Sequence, residues 1–85
     1  MSRLIPAAER ITRARALIQQ ARELPVPPEH GKNDFSYIAQ VKDLLRQARD
    51  LVKFISMTPS ATEEMKEEVK QIFQEIEQAE REILH

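Results

Sequence analysis

The strongest constraint on the fold is the spacing of apolar residues, which recur at alternating intervals of three and four in three separate segments. This spacing places the apolar side chains on one face of an α-helix. The middle segment is the most regular, and its stripe consists of Ile38, Val41, Leu45, Ala48, Val52 and Ile55. A second row beside it consists of Tyr37, Leu44 and Leu51. One neighbour cannot cover a face this wide, so we expect a central helix that contacts two others, or one helix and a partner.

The first segment, residues 6–24, carries a thinner stripe in which alanines alternate with larger residues. Its members are Leu4, Ala7, Ile11, Ala14, Ile18 and Ala21, widened by Leu17 and Leu24. Alanines in such a stripe allow a neighbouring helix to approach closely. Pro6 is compatible with the first helical turn, because its missing N–H would be unpaired there in any case.

Prolines separate the first helix from the second. Pro25, Pro27 and Pro28 remove backbone donors and push the residues before them toward extended conformations. Val26 lies between them and is still able to pack inward. The connection 25–33 is longer than the roughly two to eight residues usual between bundle helices. A proline-rich stretch can also bind an aromatic groove, but we expect this one to be a stiff connector.

Capping residues mark the starts of the second and third helices. Asn33 or Asp34 can accept a hydrogen bond from a free first-turn N–H, which predicts a second helix over 34–55. The stripe of the third segment consists of Met65, Val69, Ile72, Ile76, Ala79 and Ile83, flanked by Phe73 and Leu84. We expect this helix over 59–84. Its candidate caps are Thr58 followed by Pro59, or Ser60 with Glu63 as a capping box.

These segments predict an all-α fold, an antiparallel three-helix bundle with a proline-rich first loop, in a single domain spanning 1–85. A chain of 85 residues suits one domain. Gly31 is the only glycine, and most residues are good helix formers. Cysteine is absent, so neither a disulfide nor a thiolate metal site can form.

The net charge of −1 is spread unevenly along the chain. Residues 1–24 carry five arginines and two glutamates, a net +3, whereas residues 58–85 carry three basic and eight acidic residues, a net −5. One interpretation is internal: a basic first helix packs near an acidic third helix, and we take this as the main cause. The other is a basic face that receives an acidic partner.

The residues that chemistry would need are not grouped, so we expect no enzyme activity, no catalytic residue, no metal and no cofactor. His30 and His85 are far apart, whereas zinc requires several ligands at suitable spacing. One glycine cannot build a glycine-rich phosphate loop. The carboxylates follow the spacing of a helix surface, and the serines have no evident base partner.

Membrane and nucleic-acid partners are disfavoured by composition. No apolar run approaches the roughly 20 residues of a membrane span, and arginines and glutamates soon follow the N-terminus, unlike a signal peptide. Arg3, Arg10 and Arg13 can share part of one face, but a pI of about 6.1 lacks the basic footprint of nucleic-acid binding. We therefore expect a nuclear or cytoplasmic protein.

Apolar residues beside the stripes predict a groove for an amphipathic partner helix, although core packing explains them equally well. The candidate lining residues are Tyr37, Val41, Leu44, Leu51, Phe54 and Phe73. The candidate electrostatic rim consists of Arg13, Lys42, Arg46 and Arg49. The sequence thus favours a module that binds a protein or peptide segment of amphipathic, acidic character.

The order of parts supports a more specific hypothesis. A Pro27-Pro28 loop precedes Phe35, an apolar helix follows, and a Thr58-Pro59 turn opens an acidic helix. Over about 27–76 this arrangement resembles the small helical activator-binding domains of transcriptional coactivators, namely the KIX-type domain and the helical segments of the fungal Mediator tail coactivator. The resemblance implies a shallow hydrophobic groove for acidic-hydrophobic activation segments, and hence a nuclear coactivator role.

Two other interpretations stay open. The microtubule-interacting-and-trafficking domain is also a three-helix family, but its helices are more even in length and its first loop is shorter. Heptad spacing in all three segments also allows a homo-oligomer, in which the chain is a self-associating structural or assembly domain.

Overall fold

The computed structural model describes residues 6–29 and 31–84, with only the backbone of Lys32, and within them the chain forms three α-helices. These are α1 (Ala7–Glu23), α2 (Phe35–Val52) and α3 (Glu63–Leu84). Two short 3₁₀ turns, Gly31–Asn33 and Ile55–Met57, lie in the connections. The prediction of an all-α three-helix bundle is confirmed. Leu4, which was assigned to the first stripe, lies outside the described residues.

One apolar core joins the three stripes. Its fully buried members include Ala14, Ala21, Val41, Ala48, Val52, Ile72, Ile76 and Ala79. Each helix packs against both others, and the packing of α1 on α2 is the most extensive. The expectation of a central α2 is therefore only half right: α2 contacts two helices, but so do α1 and α3.

Two ion pairs show how the helices are arranged. Arg15 of α1 binds Glu75 of α3, and Arg22 binds Glu82, with a separation of 60 positions in both cases. Because both pairs keep the same offset, α1 and α3 run parallel. The loop that follows α1 packs beside Tyr37 at the start of α2, so α2 runs antiparallel to both.

The first connection keeps the expected extended backbone but does not pack as expected. Leu24 has φ −60° and ψ 132° and packs against the core. Val26 is 46% exposed, so it does not pack inward. Leu24 and Pro27 are half-buried instead and hold the loop against the helices. Gly31 has φ 57°, a left-handed conformation that favours glycine.

Helix α2 begins as predicted and ends earlier than predicted. Asp34 is the cap, since its Oδ1 accepts a hydrogen bond from the Tyr37 N–H at 2.9 Å. The helix ends at Val52, not at Ile55. After Val52 the backbone hydrogen bonds come to span three residues instead of four, as from the Thr58 N–H to the Ile55 carbonyl. The chain therefore tightens into a 3₁₀ turn.

The predicted caps of α3 are wrong. The Thr58 hydroxyl donates to the carbonyl of Phe54 at 3.0 Å, so it does not serve the third helix. Pro59 lies in a β-turn closed by the Ala61 N–H on the Thr58 carbonyl, where proline is favoured at the second position. The cap is Thr62, whose Oγ1 accepts from the Met65 N–H at 3.1 Å.

Candidate partner-binding cleft

A shallow cleft of about 680 Å³ lies between α1 and α2 on the side that α3 does not cover. Its lining residues are Arg10, Arg13, Ala16, Leu17 and Gln20 of α1, and Gln47, Asp50 and Leu51 of α2. We call this surface the α1–α2 cleft. Its floor is apolar and its sides are polar, which is the arrangement that receives an amphipathic segment.

The two leucines of the floor owe their position to helix geometry. Leu17 precedes the core residue Ile18 by one position, and Leu51 precedes Val52 in the same way. At 3.6 residues per turn, a one-residue step rotates a side chain by about 100° off the core stripe. Both leucines are therefore half-buried: they pack on the core and still face the cleft.

Arg10 is the least satisfied side chain of the cleft. Its Nε–H is buried and has no hydrogen-bond partner in the part of the chain that the structure describes. Within residues 6–29 and 31–84 it also forms no ion pair. A buried unpaired donor costs on the order of 1–3 kcal/mol. The terminal nitrogens of the Arg10 guanidinium are not buried in this way, so they are the donors that an acceptor from outside can reach.

The other charges of the cleft have partners at its surface. Arg13 lies 3.0 Å from Glu9 on the same helix, with both side chains about half exposed. Asp50 lies 3.3 Å from Lys53. Exposed pairs of this kind contribute little stability and are easily exchanged. Lys53 thus balances the aspartate and Glu9 balances Arg13, so the excess of positive charge in the cleft comes from Arg10.

The arginines of α1 divide into two groups. Arg15 and Arg22 face α3, where they bind Glu75 at 3.2 Å and Glu82 at 2.6 Å. These pairs support the interpretation that the basic first helix packs against the acidic third. Arg10 and Arg13 lie on the opposite side of α1, so they take no part in this pairing.

The predicted groove residues are only partly brought together. Leu51 and Arg13 line the α1–α2 cleft. Leu44 is half-buried against the core, two helical turns before Leu51 on the same side of α2. Phe54 lies beyond the end of α2 and is 57% exposed, with Lys53 Nζ 5.1 Å from its ring centre.

Three other predicted lining residues are placed elsewhere. Tyr37 is 5% exposed and Val41 is fully buried, so both belong to the core and not to a groove. Tyr37 is drawn inward at the first turn of α2, where Asp34 caps its N–H. Phe73 is half-buried on α3, which contributes no residue to the α1–α2 cleft.

The predicted rim is also divided. Lys42 and Arg49 follow the core residues Val41 and Ala48 by one position, whereas Leu51 precedes a core residue. Helix geometry therefore carries them to the other side of α2 from the cleft. Lys42 lies there beside Glu77 and Glu80 of α3. Arg46 is exposed and lies 3.3 Å from Asp43.

Arg10, Leu17 and Gln20 were not among the predicted site residues. The signal for Leu17 was present, because it stands one position before Ile18 just as Leu51 stands before Val52. Arg10 carries the same positional signal, because it stands one position before Ile11, but its lack of a partner depends on which side of α1 faces α3.

The described ranges show neither a metal site nor a membrane span. Within them no three side chains of the metal-binding types come together, and none of their helices has both the length and the apolarity to cross a bilayer. His30 and His85 lie outside these ranges.

Comparison with known proteins adds no identity. No protein-family model, curated protein or solved structure matches this chain. The resemblance to activator-binding domains therefore stays a prediction drawn from the residues.

Proposed function

We propose that this chain is a protein-interaction module whose α1–α2 cleft accepts the apolar face of a short amphipathic partner helix. The observation that carries the proposal is the pair of half-buried leucines, Leu17 and Leu51, on the floor of a cleft that α3 leaves open. A helix laid between α1 and α2 would complete the burial of both. Recognition of this kind depends on apolar anchors at i, i+3, i+4 and i+7 of the partner.

The small size of the cleft favours transient binding. Eight residues line the α1–α2 cleft, whereas each side of a standard stable interface contributes roughly 20–30 residues. Large aromatic or aliphatic anchors on the partner would supply most of the affinity.

A role in transcription is the finer form of this proposal. Activation segments combine acidic and apolar residues, which suit the leucines and the arginines Arg10 and Arg13 of the cleft. The support for a nuclear coactivator is the resemblance over about 27–76, together with this match of residue types.

Self-association is the second candidate, and the exposed apolar residues support it less well. Among the described residues the large exposed hydrophobics are Val26, Phe35, Phe54 and Met57. Phe35 begins α2 and Phe54 follows its end, so a helix of 18 residues, about 27 Å long, separates them. Scattered side chains do not make the continuous apolar face that a stable dimer requires.

A charge placed on the cleft floor tests the proposal. The probe is a synthetic helix-forming peptide with leucines at i, i+3, i+4 and i+7 and glutamates near one end, titrated into the full chain. We expect saturable binding that Leu17→Glu or Leu51→Glu abolishes. The matched control is Ala39→Glu, which adds the same charge at an exposed position of α2.

The readouts separate binding from folding. Far-UV circular dichroism and thermal unfolding show whether each variant keeps its helices, and backbone amide shifts locate the peptide. Shifts confined to α3, or equal loss of binding in Ala39→Glu, would contradict the assignment of the cleft.

A further inference from the structure

We infer that Arg10, assisted by Arg13, determines which helices the α1–α2 cleft accepts: those that carry a carboxylate one to two turns from the apolar residues that contact Leu17 and Leu51. This inference rests on the proposed function and deepens it, since it specifies the charge pattern of the partner. It makes Arg10 a specificity-determining residue and not only part of the rim.

Arg10 differs from the other arginines of α1 in its pairing. Arg13, Arg15 and Arg22 of α1 each have a glutamate within the chain, at 3.0, 3.2 and 2.6 Å. Arg10 has none among residues 6–29 and 31–84, and its buried Nε–H makes no hydrogen bond. Guanidinium groups bind carboxylates through two parallel N–H donors. A partner carboxylate that reaches the two terminal nitrogens of Arg10 would therefore supply the ion pair that the described residues do not.

The spacing follows from the helix rise. Arg13 precedes Leu17 by four residues and Arg10 precedes it by seven, which places them about 6–10 Å along the α1 axis from the leucine. A partner helix lying along the cleft has the same rise. Its carboxylate should therefore stand about four to seven residues from its apolar anchor.

The charges of the cleft are asymmetric along its length. Arg10 and Arg13 lie toward the start of α1, whereas Gln20 and Gln47 are uncharged and lie past the leucines. Asp50, although paired with Lys53, disfavours a carboxylate directly above the floor. A partner with acidic residues at one end of its apolar face is thus held in a single register.

Three peptides test this inference on the full chain. They share the same apolar anchors and differ only at the two positions four and seven residues from an anchor. There the first peptide carries glutamate, the second glutamine and the third lysine. We expect the glutamate peptide to bind most tightly, about ten-fold better than the lysine peptide at low salt, and the preference to shrink as salt is added. Arg10→Gln should remove most of the preference while the apolar contribution remains.

Arg46→Gln is the matched control, because Arg46 is an exposed arginine on the far side of α2 that pairs with Asp43. It should leave the peptide ranking unchanged. Arg10→Lys keeps the charge and loses the planar guanidinium, so it should retain only part of the preference. Thermal unfolding of each variant identifies any that fail to fold, and the ranking is then read from the other Arg10 variant.

The outcomes distinguish the two proposals. Equal affinities for the three peptides, with binding still abolished by Leu51→Glu, would overturn the role of Arg10 and leave the proposed function standing. An equal loss of preference in Arg46→Gln would also overturn it, since net charge alone would then explain the ranking. Absence of binding by every peptide would overturn both.

Discussion

Arg22 donates a hydrogen bond from Nη1 to Oε2 of Glu82 at 2.6 Å, and the same carboxylate accepts a second bond from Gln78 at 2.9 Å. The first bond joins the last turn of α1 to the last turn of α3. Two turns earlier Arg15 and Glu75 repeat the contact. These two contacts involve the arginines on one side of α1, whereas the arginines on the other side, Arg10 and Arg13, face the α1–α2 cleft.

The Arg22–Glu82 contact predicts a pH dependence. The Arg22 hydrogen bond, and then that from Gln78, lowers the pKa of Glu82 below its ordinary value. The ionised carboxylate therefore favours the folded state above the pKa of the unfolded chain, and this contribution disappears as pH falls through the lower folded-state pKa. We expect Glu82→Gln to lower Tm at neutral pH and to have no effect in strongly acidic solution.

Thermal unfolding of the two proteins across this pH range measures the effect. Glu77→Gln is the control, because the Glu77 carboxylate lies 4.0 Å from Arg81, which is too far for a hydrogen bond. Added salt should reduce the difference, since the pair is partly exposed. A difference in Tm that persists in full at acid pH would contradict the assignment.

The cap of α3 gives a second prediction. Thr62→Ala removes the oxygen that accepts from the Met65 N–H, so we expect a loss of about 1 kcal/mol in the free energy of unfolding. Ser60→Ala, at an exposed turn position before the helix, should change stability little. Urea titration of both variants measures the two losses of stability. A larger loss in Ser60→Ala than in Thr62→Ala would indicate that Ser60 is the cap.

The core gives a third prediction. Ile72 is fully buried, whereas Ile38 is only half-buried at the edge of the stripe. Ile72→Val should therefore lower the free energy of unfolding by about 0.5–1.5 kcal/mol, and Ile38→Val by less. Both variants remove one methylene, so denaturant titration compares burial alone. Equal losses would show that Ile38 is as well packed as Ile72.

The scattered exposed hydrophobics give a fourth prediction. We expect the isolated chain to sediment as a monomer of about 9.9 kDa over a wide range of concentrations. A mass that rises with concentration would favour the self-associating bundle. Repeating the measurement with Leu51→Glu would then show whether the α1–α2 cleft forms the contact between copies.

Periodicity predicted the helices and most of the core, because a spacing of three and four states directly which side chains share a face. The spacing did not show which flank of the α2 stripe faces the core. Ile38 was placed on the stripe and Tyr37 beside it, yet Tyr37 is the buried residue and Ile38 is half-buried. These neighbours lie on opposite flanks, and the position of the adjacent helices decides between them.

The same limit applies to the candidate site. Leu44 and Leu51 lie on one flank of α2, and Lys42 and Arg49 on the other, but residue spacing alone does not show that α3 covers the second flank. Helix ends depend on local bonds that residue type leaves ambiguous. Thr58 and Thr62 are both suitable caps, and the first is excluded by its hydroxyl bond to the Phe54 carbonyl together with the β-turn at Pro59.

The parallel course of α1 and α3 has a mechanical consequence. Ala7 and Leu84 lie at opposite ends of the bundle, so tension applied through these two residues would slide α1 past α3 along their common axis. The Arg15–Glu75 and Arg22–Glu82 contacts would bear the force at the same time, in shear, and would not break one after another. A chain built in this way should resist pulling along its length better than its small core suggests.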